Sequence, residues 1–326
     1  MHILAIETSC DDTSIATFNN GNLVQLITRN QHKYHRPHHG IVPEVASRQH
    51  GSHIHRLIDE CLDKSQWNWS TIDAIAVTYG PGLEGALLVG LTTAKTLAYT
   101  LSRPLIPVNH LHGHVYSAFM DTLPPFPFVA LLVSGGHCLL ARFTDYFKCS
   151  LLGQTRDDAV GEAFDKVARL LGLRYPGGPE IDALAKTGDS TRVHLPKGLH
   201  QKGLDFSYSG LKSAVFRCLK SDPPPPAADV AASFQKAACD SLIDKALPAC
   251  LDTGTPDLVV CGGVSANSYL RTALLEQGTA KGIQVHTAPL AYCTDNAAMI
   301  GRAAHFMQLA NYSISTPITA TPSLTL

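Results

Sequence analysis

Two segments far apart in the chain share one plan of strand, tight turn and returning strand, and this repetition constrains the fold more than any other feature. Residues 3–7 and 13–18 are mostly apolar and are separated by a polar turn. Residues 128–133 and 138–142 repeat the arrangement around a Ser-Gly-Gly turn. Apolar runs of this length bounded by turn residues predict β-hairpins. Because the two segments differ residue by residue, the repeat is architectural and predicts two related lobes.

Alternating helix and strand patterns follow each hairpin. In the first half they are a third strand, a long helix, a buried strand and a small-residue apolar helix, at residues 23–28, 45–59, 74–78 and 85–100. In the second half they are a strand, a helix, a strand and a final helix, at residues 258–261, 267–277, 284–287 and from 296. Hairpins that continue into α/β units predict the two-lobed α/β fold of actin-like, sugar-kinase-like ATPases, the ASKHA fold.

Residues 157–253 stand apart because their pattern is mostly helical. Prolines and glycines at 175–179 and four consecutive prolines at 223–226 interrupt the pattern, since a helix does not continue through such segments. We therefore predict an N-terminal lobe over 1–105 and a C-terminal lobe over 106–326, with a helical insertion at about 157–253. The final helix is expected to pack back towards the N-terminal lobe.

Composition narrows the cellular setting and the partners. Of the 326 residues, 45% are hydrophobic and 16% are charged, as in an ordinary folded protein. The nine cysteines form no C-x-x-C pair, which favours reduced thiols in the cytoplasm over a disulfide framework. No apolar run reaches the roughly 18 residues of a membrane span, and the chain opens directly on a strand pattern, so neither a span nor a leader peptide is expected. With a formal net charge of −1, binding to nucleic acid would require a local basic patch or a partner.

His110 and His114 are four residues apart, so both imidazoles leave one face of a helix. Cβ atoms at this spacing lie roughly 5–6 Å apart, which allows both rings to bind one metal ion. The alternative is a chance pair, since the chain has 16 histidines. A zinc protease is disfavoured, because Leu111 stands where the H-E-x-x-H motif has its catalytic Glu.

Three loops at strand ends have the residue types of a charged-ligand site. Residues 7–13 offer hydroxyls, backbone N–H groups and carboxylates, with a plain Asx or Ser turn as the alternative. Residues 134–137 allow close approach of an anion, although Ser-Gly-Gly also makes ordinary hairpins. Residues 262–267 place glycines between a strand and a helix, where nucleotides commonly bind, or where they simply connect the two elements. Asp295 is either the N-cap of the final helix, which the local sequence favours, or a third metal ligand.

Nine motifs occur in order between residue 1 and about residue 305. They are Glu7-Thr8-Ser9-Cys10-Asp11, Gly40-Ile41-Val42-Pro43-Glu44-Val45-Ala46-Ser47-Arg48, Gly80-Pro81-Gly82-Leu83, His110-x-x-x-His114, Ser134-Gly135-Gly136-His137, Phe164-Asp165-Lys166, Tyr175-Pro176-Gly177-Gly178-Pro179, Gly262-Gly263-Val264-Ser265-Ala266-Asn267 and Cys293-Thr294-Asp295-Asn296. Together they resemble the TsaD family of tRNA threonylcarbamoyladenosine transferases, and the first resembles the bacterial and organellar branch.

The resemblance implies an activity and partners. The chain is expected to transfer a threonylcarbamoyl group from threonylcarbamoyl-AMP to N6 of the adenosine on the 3′ side of the anticodon, in tRNAs that read codons beginning with A. It is expected to work in the cytoplasm with a paralogous protein, TsaB, and a small ATPase, TsaE. A homodimer is a further assembly to consider, and no membrane contact is expected.

The resemblance also implies the residues of the site. One divalent metal ion, Fe²⁺ or Zn²⁺, would bind His110, His114 and Asp295, and we hypothesise that Asp11 is the catalytic base or orients the attacking amine. The adenylate would contact nine residues: Ser134, Gly135, Gly136, His137, Cys138, Asp165, Gly178, Asp182 and Asn267.

Some positions depart from the family pattern. His112 stands where many relatives have Glu, and His38-His39 stands where Tyr-Gly is usual. We expect His112 to lie behind the ligands or in solvent, because residue i+2 points away from the ligand face. Four basic residues receive no assigned role: Arg48, Arg156, Lys166 and Lys212.

Two other functions fit the predicted fold. An ATPase or small-molecule kinase would transfer phosphate and would not require the two histidines and Asp295. A non-enzymatic scaffold would resemble relatives that have lost the metal site, whereas this chain keeps all three expected ligands.

Overall fold

The computed structural model describes residues 1–38, 40–199, 203–314 and 317–326. His39, noted above as a departure from the family pattern, lies outside the described residues. The chain forms two compact units, Met1–Pro124 together with Thr294–Leu326, and Pro125–Cys293.

The described residues form strands and helices in alternation. The strands are β1 (His2–Glu7), β2 (Asp12–Asn19), β3 (Asn22–Asn30), β4 (Ala74–Gly80), β5 (Leu105–Asn109), β6 (Phe128–Val133), β7 (Cys138–Asp145), β8 (Lys148–Gln154), β9 (Asp257–Cys261) and β10 (Gln284–Thr287). The helices are α1 (His32–His35), α2 (Pro43–Ser65), α3 (Glu84–Leu101), α4 (His110–Tyr116), α5 (Val160–Leu170), α6 (Gly177–Ala185), α7 (Ser209–Leu219), α8 (Ala227–Asp252), α9 (Ser268–Ala280) and α10 (Ala297–Leu309).

The first unit is built on a mixed sheet in the order β3-β2-β1-β4-β5. β1, β2 and β3 pair antiparallel, as the hairpin pattern predicts, whereas β1 pairs parallel with β4 and β4 with β5. The predicted helices at 45–59 and 85–100 are confirmed as the longer α2 and α3. Polar side chains at the carboxyl ends of the parallel strands therefore meet at one edge of this sheet.

Helices cover both faces of the first sheet. Leu4 and Ile6 join the apolar cluster beneath α2 and α3, whereas Phe18 lies beneath α10 on the opposite face. Gly301 of α10 makes this approach possible, because a Cβ there would lie 2.3 Å from the Phe18 ring. α10 is consequently held close to β1 and β2.

The second unit repeats the topology of the first. Its sheet has the order β8-β7-β6-β9-β10, with β6, β7 and β8 antiparallel and β6, β9 and β10 parallel. β6 and β7 are the second predicted hairpin. The predicted strands at 258–261 and 284–287 are confirmed as β9 and β10. Two mixed sheets of the same strand order confirm the α/β fold of two similar lobes.

The helical region of the second unit contains one helix that the first unit shares. α8 contacts β6, β9 and α9, as α2 contacts the first sheet and α3. α5, α6 and α7 have no counterpart among the described residues of the first unit. The added helices thus lie within Val160–Leu219 rather than across the whole of residues 157–253.

The first unit extends past the boundary at residue 105 that the sequence predicts. β5 begins at Leu105 and completes the first sheet by pairing with β4, and α4 then packs against α10. The unit consequently continues to Pro124 and resumes at Thr294. Within the described ranges, no helix is long and apolar enough to cross a membrane.

Candidate functional site

The two histidines of α4 share one helix face, as their spacing predicts. The side chain of Asn109 accepts a hydrogen bond from the backbone N–H of Leu111 and so caps the start of this short helix. The rings of His110 and His114 lie edge to face with centroids 4.6 Å apart, and both residues are buried. The structure therefore holds both imidazoles together inside the first unit.

Asp295 joins these histidines and does not cap the final helix. The side chain of Asn296 is the N-cap of α10, since its Oδ1 accepts from the N–H of Met299 at 3.0 Å. The N-cap interpretation of Asp295, which the local sequence favours, is therefore wrong. The Asp295 carboxylate lies 3.2 Å from Nε2 of His114 and 3.6 Å from Nε2 of His110.

Close packing of α4 on α10 brings the three side chains together. Gly113 sits at the contact, where a Cβ would lie 3.0 Å from Ile300 and 3.2 Å from Met299. One ligand atom from each of His110, His114 and Asp295 lies within 4.8 Å of the others. Two imidazole nitrogens and one carboxylate oxygen form a donor set suited to Fe²⁺ or Zn²⁺.

Glu7 fixes the orientation of the first histidine from behind. Its buried carboxylate lies 3.3 Å from Nδ1 of His110, and the hydroxyl of Ser9 lies 3.1 Å from the same nitrogen. Thr78 and the backbone N–H of Ser9 also donate to Glu7. A carboxylate that accepts from Nδ1–H leaves the Nε2 lone pair directed towards Asp295, where a metal ion would bind.

The charges of this region are those of a cation site. Burial would lower the pKa of His110, but Asp295 and Glu7 raise it to about 9. Burial, together with Asp11, Asp295 and Glu7, raises the pKa of the Asp12 carboxyl to about 8. Buried carboxylates that repel one another are stabilised by a bound cation. The donor set and this concentration of negative charge both fit a divalent metal ion.

The turn after β1 contains two buried aspartate oxygens, Oδ2 of Asp11 and Oδ1 of Asp12. Neither oxygen has a hydrogen-bond partner in the described part of the chain. Burial and the Asp295 charge raise the pKa of Asp11. His50 of α2 supports the turn that carries these residues, because its Nε2 lies 2.9 Å from the carbonyl of Cys10. Asp11 is thus held as a carboxyl group of increased basicity.

His112 lies inside the protein rather than in solvent. It is buried, its ring is tilted against that of Tyr116 with centroids 6.3 Å apart, and burial lowers its pKa to about 4. The solvent alternative for this residue is therefore wrong. His112 is not among the three residues whose ligand atoms converge.

We expect Glu7→Gln to weaken metal binding about 10- to 100-fold, because a second-layer carboxylate that orients a ligand histidine typically contributes that much. The glutamine amide would place an N–H group against the donors that now surround the carboxylate. Titration with Zn²⁺ followed by calorimetry measures the affinity. Glu84→Gln, at an exposed position, is the matched control, and equal affinities for both variants would contradict the orienting role.

The turn between β6 and β7 holds four of the predicted adenylate residues, and the first residue of β7 is a fifth. The backbone groups of Ser134 and His137 pair, and the Ser134 hydroxyl accepts from the N–H of His137 at 3.1 Å. Gly135 and Gly136 are exposed, with open space where a Cβ would point. Cys138 is buried in the core, so only its backbone is available to a ligand.

The other four predicted adenylate residues lie on α5, on α6 and at the N-cap of α9 in the second unit. Asp165 accepts from the N–H of Gly177 at 2.7 Å, and Gly178 has open space beside it in the first turn of α6. Asp182 accepts from Ser268, and the neighbouring Asn267 caps α9 and donates to Gln235. The side chains of Asp165, Asp182 and Asn267 each have a hydrogen-bond partner within the protein. Contact of these residues with the adenylate stays a prediction.

The sequence places Glu7 and Ser9 in a loop suited to a charged ligand but does not predict their contact with His110, and it gives no indication that Thr78 belongs to the site. The position of Glu7, Ser9 and Thr78 in the chain could have indicated a role in the site, since each residue lies at or just after the carboxyl end of β1 or β4. Parallel pairing of β1 with β4 and of β4 with β5 places these ends beside the start of α4.

Comparison with known proteins identifies close relatives. The family model of tRNA N6-adenosine threonylcarbamoyltransferase, TsaD, matches residues 22–302. The chain is 48% identical over 334 residues to the tRNA N6-adenosine threonylcarbamoyltransferase of Clostridium botulinum (strain Kyoto / Type A2), covering 100% of this chain and 98% of that protein. It is 49% identical over 332 residues to the protein of the same name from Clostridium perfringens (strain SM101 / Type A), covering 99% and 98%.

Solved structures of more distant proteins share the fold. Full-length HypF in its phosphate- and nucleotide-bound form gives a TM-score of 0.64 at 13% identity, over 94% of this chain and 46% of HypF. Component A of the Acidaminococcus fermentans (R)-2-hydroxyglutaryl-CoA dehydratase gives a TM-score of 0.55 at 15% identity, over 95% and 99%. These neighbours confirm the predicted actin-like fold class.

Proposed function

The chain belongs to the TsaD family of tRNA N6-adenosine threonylcarbamoyltransferases, and from this premise we propose that it forms N6-threonylcarbamoyladenosine in tRNA. The acyl donor is threonylcarbamoyl-AMP, and the acceptor is N6 of the adenosine 3′ of the anticodon in tRNAs reading codons that begin with A. Identity of 48% over essentially the full length of a family member carries this proposal. The convergence of His110, His114 and Asp295 supports it independently.

The reaction exchanges one bond at the carbamoyl carbon. N6 of adenosine forms a bond to that carbon, the bond to the adenylate oxygen breaks, AMP leaves with the bonding electron pair, and N6 loses a proton. The exocyclic amine is a poor nucleophile because its lone pair is delocalised into the adenine ring. The site must therefore increase the electrophilicity of the carbon and accept the proton.

We propose that His110, His114 and Asp295 hold one Fe²⁺ or Zn²⁺ ion. When bound, such an ion polarises a carbonyl and neutralises phosphate charge. The residues around it orient the ligands, since Glu7 accepts from Nδ1 of His110 and Asn109 caps α4. The side chain of Asp295 is partly exposed, which supports access of a substrate to the ligands from its side.

We propose that Asp11 accepts the proton from N6 or orients the amine. Burial and the Asp295 charge raise its pKa, which increases the affinity of its carboxylate for a proton. For the adenylate we retain the nine predicted residues of the second unit. The open space at Gly135, Gly136 and Gly178 supports close approach of a phosphate to the backbone.

Asp11→Asn is expected to lower kcat about 10²- to 10⁴-fold, the usual contribution of a general base, while the affinity for threonylcarbamoyl-AMP changes little. Single-turnover formation of the modified nucleoside and equilibrium binding of the adenylate measure the two quantities. Asp59→Asn, at an exposed position of α2, is the control. Equal losses of turnover and adenylate affinity would instead assign Asp11 to substrate binding.

The complete activity is tested by mass spectrometry of digested tRNA after incubation of the chain with threonylcarbamoyl-AMP and unmodified tRNA. We propose TsaB and TsaE as cytoplasmic partners, so the reaction is run with and without them. Product formation in either condition supports the transferase. Phosphate release from ATP without any modified tRNA would favour the ATPase or kinase alternative.

A further inference from the structure

A groove in the second unit is lined by side chains to which the proposed catalytic roles assign no function. It lies between α5 and α7 and encloses about 350 Å³. α5 contributes Lys166 and Arg169, and α7 contributes Lys212 and Arg217. Phe216 of α7 also lines it, and we call this surface the α5–α7 groove.

The lysines of the groove are paired with carboxylates. The Lys166 amine lies 2.8 Å from Asp158 and 2.7 Å from Glu162, and the Lys212 amine lies 2.6 Å from Asp158. These pairs hold the lysines in fixed positions. Four cationic side chains nevertheless face two carboxylates, so the groove keeps a surplus of positive charge.

The arginines carry this surplus. Arg169 and Arg217 are exposed, and neither forms an ion pair with a carboxylate in the described ranges. The chain as a whole has a formal net charge of −1, so an uncompensated positive groove is a local feature. Two guanidinium groups on neighbouring helices suit phosphate oxygens, which they bind through several N–H groups each.

Phe216 adds an apolar surface at the same place. Its side chain is 45% exposed, and the Lys220 amine lies 4.4 Å from the ring centroid. A large exposed aromatic ring surrounded by cations is unnecessary for core packing. It is the arrangement by which proteins stack an unpaired base while neighbouring cations contact the backbone.

We propose that the α5–α7 groove binds the tRNA substrate, with Arg169 and Arg217 contacting backbone phosphates and Phe216 stacking on an unpaired base. This inference rests on the proposed function, which supplies tRNA as the substrate. The combination of phosphate-binding cations with an exposed ring favours a nucleic acid over free phosphate, which would not engage Phe216. It also gives a nearly neutral chain the local basic patch that RNA binding requires.

The first test is the double charge reversal Arg169→Glu/Arg217→Glu. We expect KM for tRNA to rise at least about tenfold, while kcat and KM for threonylcarbamoyl-AMP stay within about twofold. Loss of two phosphate contacts should also reduce the slope of log affinity against log salt concentration by roughly 1.4 to 1.8. Both arginines are exposed, so the variant is expected to fold normally.

The control is Lys148→Glu/Lys281→Glu, which makes the same change of net charge at exposed positions of the second unit outside the groove. It should leave KM for tRNA within about twofold of wild type.

Phe216→Leu tests stacking separately. It should raise KM for tRNA about fivefold or more, whereas Phe216→Tyr should retain the wild-type value.

Filter binding of labelled tRNA to the full chain gives a readout that does not depend on catalysis. Weaker tRNA binding by the groove variant than by the control supports the inference, whether or not a modified nucleoside forms. Absence of the modified nucleoside would count only against the proposed function. Equal tRNA affinity of the groove variant, the control and wild type overturns the inference. A groove variant that binds tRNA normally but needs more TsaB for full activity also overturns it, because the groove would then contact a protein.

Discussion

The double substitution His110→Ala/His114→Ala is expected to abolish metal binding and to lower turnover on the order of a thousandfold. Two of three protein ligands would be lost, and Asp295 alone offers one carboxylate. A metal that polarises a reacting carbonyl contributes several kcal/mol to transition-state stabilisation, and each 1.36 kcal/mol corresponds to a factor of ten in rate.

Metal content by inductively coupled plasma mass spectrometry and modified nucleoside by mass spectrometry of digested tRNA measure the two effects. His55→Ala/His194→Ala removes two exposed histidines and is expected to keep both metal and activity. A buried pair of alanines in α4 also risks local unfolding, so circular dichroism is recorded for each variant. A folded double variant that retains one metal ion per chain would disprove the assignment of the ligands.

Arg302→Met is expected to lower the free energy of unfolding by about 3–5 kcal/mol. The buried guanidinium of Arg302 donates to the backbone carbonyls of Phe119 at 2.7 Å, Thr122 at 2.7 Å and Gly21 at 3.0 Å. Methionine nearly fills the volume but donates no hydrogen bond. Phe119 and Gly21 are buried, and each of their carbonyls left without a donor costs about 1–3 kcal/mol, whereas Thr122 is exposed and its carbonyl can bind water instead.

Urea denaturation monitored by circular dichroism measures the loss. The control is Arg56→Met at an exposed position of α2, where a change within about 0.5 kcal/mol is expected. If Arg302→Met cost less than about 1 kcal/mol, water would be replacing the guanidinium at the three carbonyls. Because α10 begins two residues after Asp295, such destabilisation is also expected to weaken metal binding.

The strand and helix pattern was largely predictable, because it depends on residues close together in the chain. The polar Asn19-Asn20-Gly21 segment marks the turn between β2 and β3, and the glycines at 135–136 mark the one between β6 and β7. Alternation and apolar runs locate the strands between such turns. The lobe boundary at 105 was less predictable, since membership of β5 in the first sheet depends on pairing with β4.

The candidate metal ligands were also predictable only in part from the local sequence. The spacing of His110 and His114 predicts a shared helix face, and α4 confirms it. The local sequence favours Asp295 as an N-cap because Asp is a good capping residue. Asn is an equally good cap, so the sequence does not decide whether Asp295 or Asn296 caps α10. The family resemblance names Asp295 as a ligand, and the structure places it beside both histidines.

The sequence by itself determined the elements, their order, the paired imidazoles and the family, because turns, periodicity and motifs are properties of neighbouring residues. Tertiary structure alone decided which distant groups meet. Gly113 lets α4 approach α10 and brings Asp295 to His114, and parallel pairing of β1, β4 and β5 places Glu7 behind His110. Such contacts follow from side-chain packing between elements far apart in the chain, which no local pattern specifies.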